Sequence, residues 1–259
     1  MTFEMIIAGP KDSINKITDA ENVLYYLFLA LVVLSCFLFS GGKVKPAQWI
    51  LVIASFCFHL FLHLVSDQIL PWDEQYHLLV SKNLMDNPLR PVLYQYSLDA
   101  GKRFHWELGN IWLHKPPLFM WLIAVSMKIF GATLFAARIP SLLMLVFLPL
   151  LVYRSAEIVF KSARPAFLAA LFSCCPYFIS LLAVGGYATD HNDVAFLFFV
   201  TTSLYAWLEY SISTKKNVYW WLLLIGISAG FAILTKLFAG FMVFGGWAFS
   251  ILLNETKAI

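Results

Sequence analysis

Charged and imidazole side chains are scarce in this chain, and they gather in a few places. The densest is Trp72, Asp73 and Glu74 with Tyr76 and His77, followed by Lys102, Arg103, His105 and Glu107, and then by His114, Lys115, Pro116 and Pro117. Further on, Asp190, His191 and Asp193 precede an apolar run that begins at Val194, and Lys236 stands alone between two apolar runs. Carboxylates of this kind serve as general bases or metal ligands, and lysines balance phosphate as point charges. A set with both signs suits a charged, phosphate-bearing head group. Each member also has a purely structural alternative. Asp73 and Glu74 would complement a helix dipole, Asp190 or Asn192 would cap a helix, and Lys236 would snorkel to an interface.

Two other groups carry less chemistry. His59, His63 and Asp67 recur at helical spacing on one face, a spacing that can bind a metal but is better read as a polar stripe bonding to neighbouring helices. Cys36, Cys57, Cys174 and Cys175 all lie in apolar runs, away from the turns where metal-ligand cysteines sit. Cys174 and Cys175 before Pro176 read as a packed kink.

The elements that must position these groups are set by composition. Apolar residues make up 61% of the 259 residues and charged residues 13%, a balance that no water-soluble globule hides in one core. A net charge of +3 spread over loops leaves no footprint for nucleic acid. The expected fold is an all-α polytopic membrane protein with about seven transmembrane helices, drawn over 23–39, 47–64, 134–153, 166–184, 194–210, 219–235 and 237–253. Residues 1–22 are expected to form a polar N-terminal extension, 23–253 the membrane module, and 254–259 a cytoplasmic tail where the chain is either truncated or a minimal module that needs a partner.

Loops rich in Lys and Arg stay in the cytoplasm. They hold Lys43 with Lys45, Arg154 with Lys161 and Arg164, and Lys215 with Lys216. Parity then collects the loop 65–131, the 185–193 turn and the Lys236 turn on the extracytoplasmic side, so Asp73, Glu74, His114, Lys115, Asp190, Asp193 and Lys236 share one face of the membrane. This works only if Pro116–Phe130 does not cross. That stretch reaches roughly 22 Å against a core of ~30 Å, which assigns it to the interface or a half-membrane position. Between Asp73 and Met85, the apolar residues Tyr76, Leu79, Val80 and Leu84 fall at helical spacing, so a juxtamembrane amphipathic helix should begin at the two carboxylates.

With this order on a chain of many spans, four stretches resemble the GT-C superfamily of glycosyltransferases, nearest its bacterial lipid A aminoarabinose transferase and protein O-mannosyltransferase branch. They are Trp72-Asp73-Glu74; His114-Lys115-Pro116-Pro117-Leu118 with Phe130-Gly131 and Ala137-Arg138-Ile139-Pro140; Asp190 before a span; and Leu234-Thr235-Lys236. The resemblance covers Pro71 to Gly240. It implies an inverting hexosyl- or pentosyltransferase that moves a sugar from a polyprenyl-phosphate donor to an extracytoplasmic lipid, glycan or protein. Asp73 would be the catalytic base with Glu74 beside it. Asp190 would be the second acidic position, with Asp193 as its fallback. Lys115 and Lys236 would steady the donor phosphate, and His114 and Tyr76 would line the substrate site. The implied partners are the polyprenyl-phosphate-linked sugar and membrane lipids, and the implied location is a bacterial inner membrane.

The chain departs from the family pattern in informative ways. Aminoarabinose transferases carry a glutamate before Lys-Pro-Pro, a position associated with a divalent metal, where this chain has His114. Imidazole binds zinc or hydrogen-bonds phosphate, so a divalent metal on His114 and Asp190 stays open. Leu237 follows Lys236 where many relatives have glycine, an extra span precedes the Asp-Glu loop, and the chain is shorter than its relatives. A secondary transporter using His59 and Asp67 is one rival reading, and a non-catalytic lipid-binding subunit is another.

Overall fold

The computed structural model describes residues 19–69, 73–94, 109–186, 191–213 and 218–255. Trp72, Asp190, the basic and acidic group from Lys102 to Glu107, Lys215 with Lys216, and most of the N-terminal extension lie outside the described residues.

The described residues are helical almost throughout. Helices α1 (Asp19–Ser40) and α2 (Val44–Val65) form a hairpin closed at Gly42, which takes φ 76°. Helix α3 (Asp73–Leu84) and the 13-residue α4 (Leu118–Phe130) are short, whereas α5 (Leu134–Phe160) runs for 27 residues. Helices α6 (Ala163–Ser173) and α7 (Tyr177–Ala183) follow, then α8 (His191–Ile212), α9 (Val218–Lys236), a 3-10 turn at Leu237–Phe241, and α10 (Met242–Glu255).

Packing shows what solvent this bundle expects. Ala47, Ala54, Ala137, Ala166, Ala195, Ala229 and Ala232 are fully or almost fully buried, while Phe37, Phe172, Tyr219 and Trp220 point outward. Small residues let backbones approach closely where lipid removes the usual hydrophobic drive between helices. Serines then bond across the contacts. Ser35 Oγ donates to the Ala47 carbonyl at 2.8 Å, and Ser55 Oγ to the carbonyls of Leu145 (3.2 Å) and Cys174 (3.1 Å).

Among the described residues, five helical runs are long and apolar enough to cross a membrane, six if the bent pair α6–α7 is one span. The pair bends by 41° at Cys174–Pro176, as its proline leads one to expect, and Cys174 packs its Sγ against the Leu51 carbonyl at 3.4 Å. All four cysteines are free thiols.

The expectation of seven spans divided the last run, Val218–Phe249, in two, whereas by length and composition it counts as one stretch of 32 residues. The chain does turn back inside it. A Cβ on Gly240 would strike the Ile233 backbone, and Met242 and Val243 line a cavity together with Val200 of α8. Helix α10 is described over 14 residues, about 21 Å of rise, as far as Glu255. Helix α4 is too short to span, as expected of Pro116–Phe130.

Hydrogen bonds fix which ends meet. His63 of α2 faces the Arg138 carbonyl of α5 at 3.3 Å, and Asn192 of α8 donates to the Thr235 carbonyl of α9 at 3.4 Å. The end of α2, the starts of α5 and α8, and the end of α9 therefore share one end of the bundle. Arg154 of α5 and Glu209 of α8 pair at the other.

Candidate functional site

Asp73 and Glu74 are neighbours at the start of α3, yet they point to different partners. The Asp73 carboxylate receives the Lys115 ammonium, with both side chains only slightly open to solvent at 10% and 18% exposure. Glu74 is 2% exposed and faces Arg138, whose guanidinium is fully buried. Helix α3 starts at Asp73 as the amphipathic pattern predicts, and its buried face carries Leu78, Val80 and Leu84 together with His77 and Ser81.

Lys115 reaches Asp73 because the segment before it is pinned. Val92 and Ile111 form an antiparallel bridge, closed by Leu93 N–H to the Asn110 carbonyl at 2.8 Å and Trp112 N–H to the Pro91 carbonyl at 2.9 Å. The buried Trp112 ring then meets three others: Tyr76 at 6.1 Å, His77 at 5.6 Å and His114 at 5.5 Å between centroids. Such aromatic contacts fix the approach of His114-Lys115 over the first turns of α3. Pro117 then caps α4, where its missing N–H costs nothing, and its carbonyl accepts Trp121 N–H at 2.9 Å.

Glu74 and Arg138 form the most buried charge pair among the described residues. Arg138 Nε donates to Glu74 Oε1 at 2.7 Å and Nη2 to Oε2 at 2.9 Å, a fork-to-fork contact. The remaining donors reach the chain between α2 and α3, with Nη1 to the Ser66 carbonyl at 2.5 Å and Nη2 to the Gln68 carbonyl at 3.0 Å. Arg138 is delivered there by the α4–α5 turn, where Gly131 takes φ 91° and the Thr133 side chain caps α5 by accepting Ala136 N–H at 3.1 Å. Gly185, at φ 67°, passes so close to Glu74 that any side chain there would overlap its carboxylate.

A third ion pair joins Asp193, in the first turn of α8, to Lys236, the last residue of α9. The Lys236 ammonium also lies over the Phe196 ring, 5.9 Å from its centroid. A snorkelling lysine needs no such partner, so this one is placed by a specific contact. Asn192 serves as a tie to α9 through the Thr235 carbonyl.

The sequence set is thus partly assembled. Asp73, Glu74, Lys115, Asp193 and Lys236 all come to one end of the bundle, as loop parity predicts. Tyr76 and His114 border the same place through Trp112, and Asp190 lies outside the described residues. Two participants were missed, Arg138 and Trp112. Arg138 had a readable signal, since a lone arginine just inside an apolar run is expensive unless it has a partner. Trp112 had none.

The stripe on α2 splits. His59 and His63 are buried, with His59 Nε2 at 3.1 Å from Ser180 Oγ and His63 Nε2 at 3.3 Å from the Arg138 carbonyl, which is the role of a polar stripe tying helices together. Asp67 does not belong to it, because α2 ends at Val65 and Asp67 is exposed. A metal site would need several donors around His114. Among the described residues no group of three or more His, Cys, Asp or Glu side chains is arranged to hold an ion, and the nearby carboxylates of Asp73 and Glu74 are taken by cations.

Fold and site together define an integral membrane protein that gathers acid–base and cationic side chains at one end of a helical bundle. Residues 114–258 match the sequence profile described as dolichyl-phosphate-mannose-protein mannosyltransferase, and the chain belongs to that family. The match begins at His114, so Lys115, Arg138, Asp193 and Lys236 fall inside it and Asp73 and Glu74 precede it.

Among curated proteins, the chain is 37% identical over 145 residues to an uncharacterized protein of Aquifex aeolicus, covering 56% of this chain and 28% of that one. It is 31% identical over 132 residues to the undecaprenyl phosphate-alpha-4-amino-4-deoxy-L-arabinose arabinosyl transferase of Pseudomonas savastanoi, covering 50% and 24%. The protein of the same description from Pseudomonas aeruginosa strain UCBPP-PA14 is 32% identical over 139 residues, covering 52% and 24%. The matched stretch is thus about a quarter of the length of these relatives. No solved structure matches. The likeness is that of a distant member of the GT-C superfamily of polyprenyl-phosphate sugar transferases, and the named relatives are bacterial.

Proposed function

We propose that this chain carries the donor-side catalytic end of a membrane glycosyltransferase that moves a sugar from a polyprenyl phosphate to an extracytoplasmic acceptor. The observation that carries the reading is the contact between Asp73 and Lys115, which joins the Asp-Glu and His-Lys-Pro-Pro stretches into one acid–cation pair.

In the resting site Lys115 neutralises Asp73. A donor phosphate brings a second anion to the same ammonium, and competition for Lys115 leaves the Asp73 carboxylate available as a base. The acceptor hydroxyl then attacks the anomeric carbon as its proton passes to Asp73. The bond from that carbon to the phosphate oxygen breaks, polyprenyl phosphate leaves, and the anomeric configuration inverts. Lys115 stabilises the charge on the departing phosphate. Lys236, held by Asp193, offers a second cation at the same end of the bundle. Glu74 is engaged by Arg138, and its part in the reaction is to place Asp73. The site faces the extracytoplasmic side of a bacterial inner membrane in this reading, following the basic loops.

The test uses a panel of radiolabelled polyprenyl-phosphate sugars with the purified chain, with and without chelator. Asp73→Asn is expected to lower turnover by about 10²–10⁴-fold, the usual worth of a positioned base, while polyprenyl phosphate still binds. Turnover retained in Asp73→Asn would sink the assignment. Loss in the chelator lane would bring a metal to the site.

A further inference from the structure

We infer that Arg138 is a positioning residue, and that its buried contact with Glu74 is the lock that sets where Asp73 stands. The inference rests on the transferase reading only for what Asp73 is placed to do.

The argument starts from where the guanidinium spends its donors. Two reach carbonyls upstream of Asp73, at Ser66 and Gln68, and two reach the Glu74 carboxylate immediately downstream. One rigid planar group therefore grips the chain on both sides of the carboxylate that faces Lys115. Lysine could not substitute, because it offers a single point of charge where this geometry uses a fork. The grip is also closed from behind. Gly185 leaves no room for Glu74 to swing away, and the His63 ring meets the Arg138 carbonyl. Arg138 thus ties together the end of α2, the start of α3 and the start of α5, with the turn after α7 passing close behind.

Burial decides between this and a simple surface ion pair. A fully desolvated charge pair is weak evidence for stability alone, since apolar side chains of similar volume often hold a core as well. What the pair supplies here is a fixed register. Asp73 and Lys115 come from separate stretches of chain, and the lock fixes the first while Trp112 fixes the second. A misplacement of about 1 Å at a reacting group costs on the order of 10²-fold in rate.

Two variants disturb the lock without touching Asp73 or Lys115. Arg138→Lys keeps the charge and removes the fork, and Gly185→Ala drives a methyl into the Glu74 carboxylate while leaving both charged residues in place. Arg154→Ala, at the far end of the bundle, is the control. Each is assayed for turnover with the active donor, for binding of undecaprenyl phosphate, and for hydrogen exchange at the amides of the first turns of α3. The expected result for both lock variants is a kcat lowered by about 10²-fold, undecaprenyl phosphate affinity within about threefold of the parent, and faster exchange confined to the start of α3. Unchanged kcat and exchange would overturn the lock. Equal loss of binding and turnover would also overturn it, since that is what a general structural defect produces. If the parent chain turns over no donor, the transferase reading falls, and exchange at α3 still decides the lock.

Discussion

The two ends of this bundle both carry ion pairs, and they are built in opposite ways. At one end Arg138 and Glu74 are fully and almost fully buried, and Lys115 and Asp73 are only 18% and 10% exposed. At the other end Arg154 is 41% exposed and shared between Glu157, one turn along its own helix, and Glu209 of α8. A cavity of about 640 Å³ opens beside it, lined by Arg154 and Glu157 with Lys45, Gln48, Tyr153 and Tyr205 among others, so this cation faces open space. Arrangement therefore separates the two ends better than charge or cavity size does. Charges that the fold brings together out of water have been positioned at a cost, whereas an exposed cation stays solvated and its pairs contribute little.

The sharpest way to break this contrast is to remove one partner of the buried pair. Arg138→Met leaves Glu74 charged and alone in a dry site and should destabilise the fold by about 3–5 kcal/mol, read as a shift of the unfolding midpoint in mixed detergent micelles. Removing both charges, as Glu74→Leu with Arg138→Met, should recover part of that loss but none of the turnover. The recovery stays partial because the Ser66 and Gln68 carbonyls lose their donor as well. If the double variant is fully active, Asp73 does not depend on the lock.

The Asp193–Lys236 pair lies between the extremes, with 18% and 34% of its side chains exposed. A double-mutant cycle of Asp193→Asn and Lys236→Met should give a coupling of about 1 kcal/mol, at the upper edge of the range for surface pairs and below that of a buried one. Donor KM should rise in Lys236→Met with a smaller effect on kcat. Zero coupling would mean that Lys236 owes its place to the turn rather than to Asp193.

How much of this was legible beforehand depends on range. The helical nature of the chain, the short α4, the kink at Pro176 and the shared end for Asp73, Lys115, Asp193 and Lys236 all follow from local hydropathy, prolines and loop charge. These are properties a segment carries by itself. The partner of Glu74 was not readable, although Arg138 stood in a quoted stretch, because a side-chain pair across 64 positions leaves no mark on either segment's pattern. Trp112 was missed for the same reason, since its role comes from three rings that folding brings around it. Asp67 was assigned to the α2 stripe because spacing continues on paper after a helix has ended at Val65. The last apolar run was counted as two spans because hydropathy records the break at Lys236 but not how far each half extends.

The smallest expected effect tests the contrast from its other side. Arg154 makes three hydrogen bonds to two carboxylates, and on a count of contacts it would rank with Arg138. Exposure says otherwise. Water solvates the group when the pairs break, and long side chains held in one geometry give up rotamer freedom, so exposed pairs are worth about 0.2–1 kcal/mol. Arg154→Ala should therefore shift the unfolding midpoint by no more than that and leave transfer at the parent rate. A loss near that of Arg138→Met would show that the Arg154 end is as preorganised as the other. Burial would then no longer distinguish the end proposed to do chemistry.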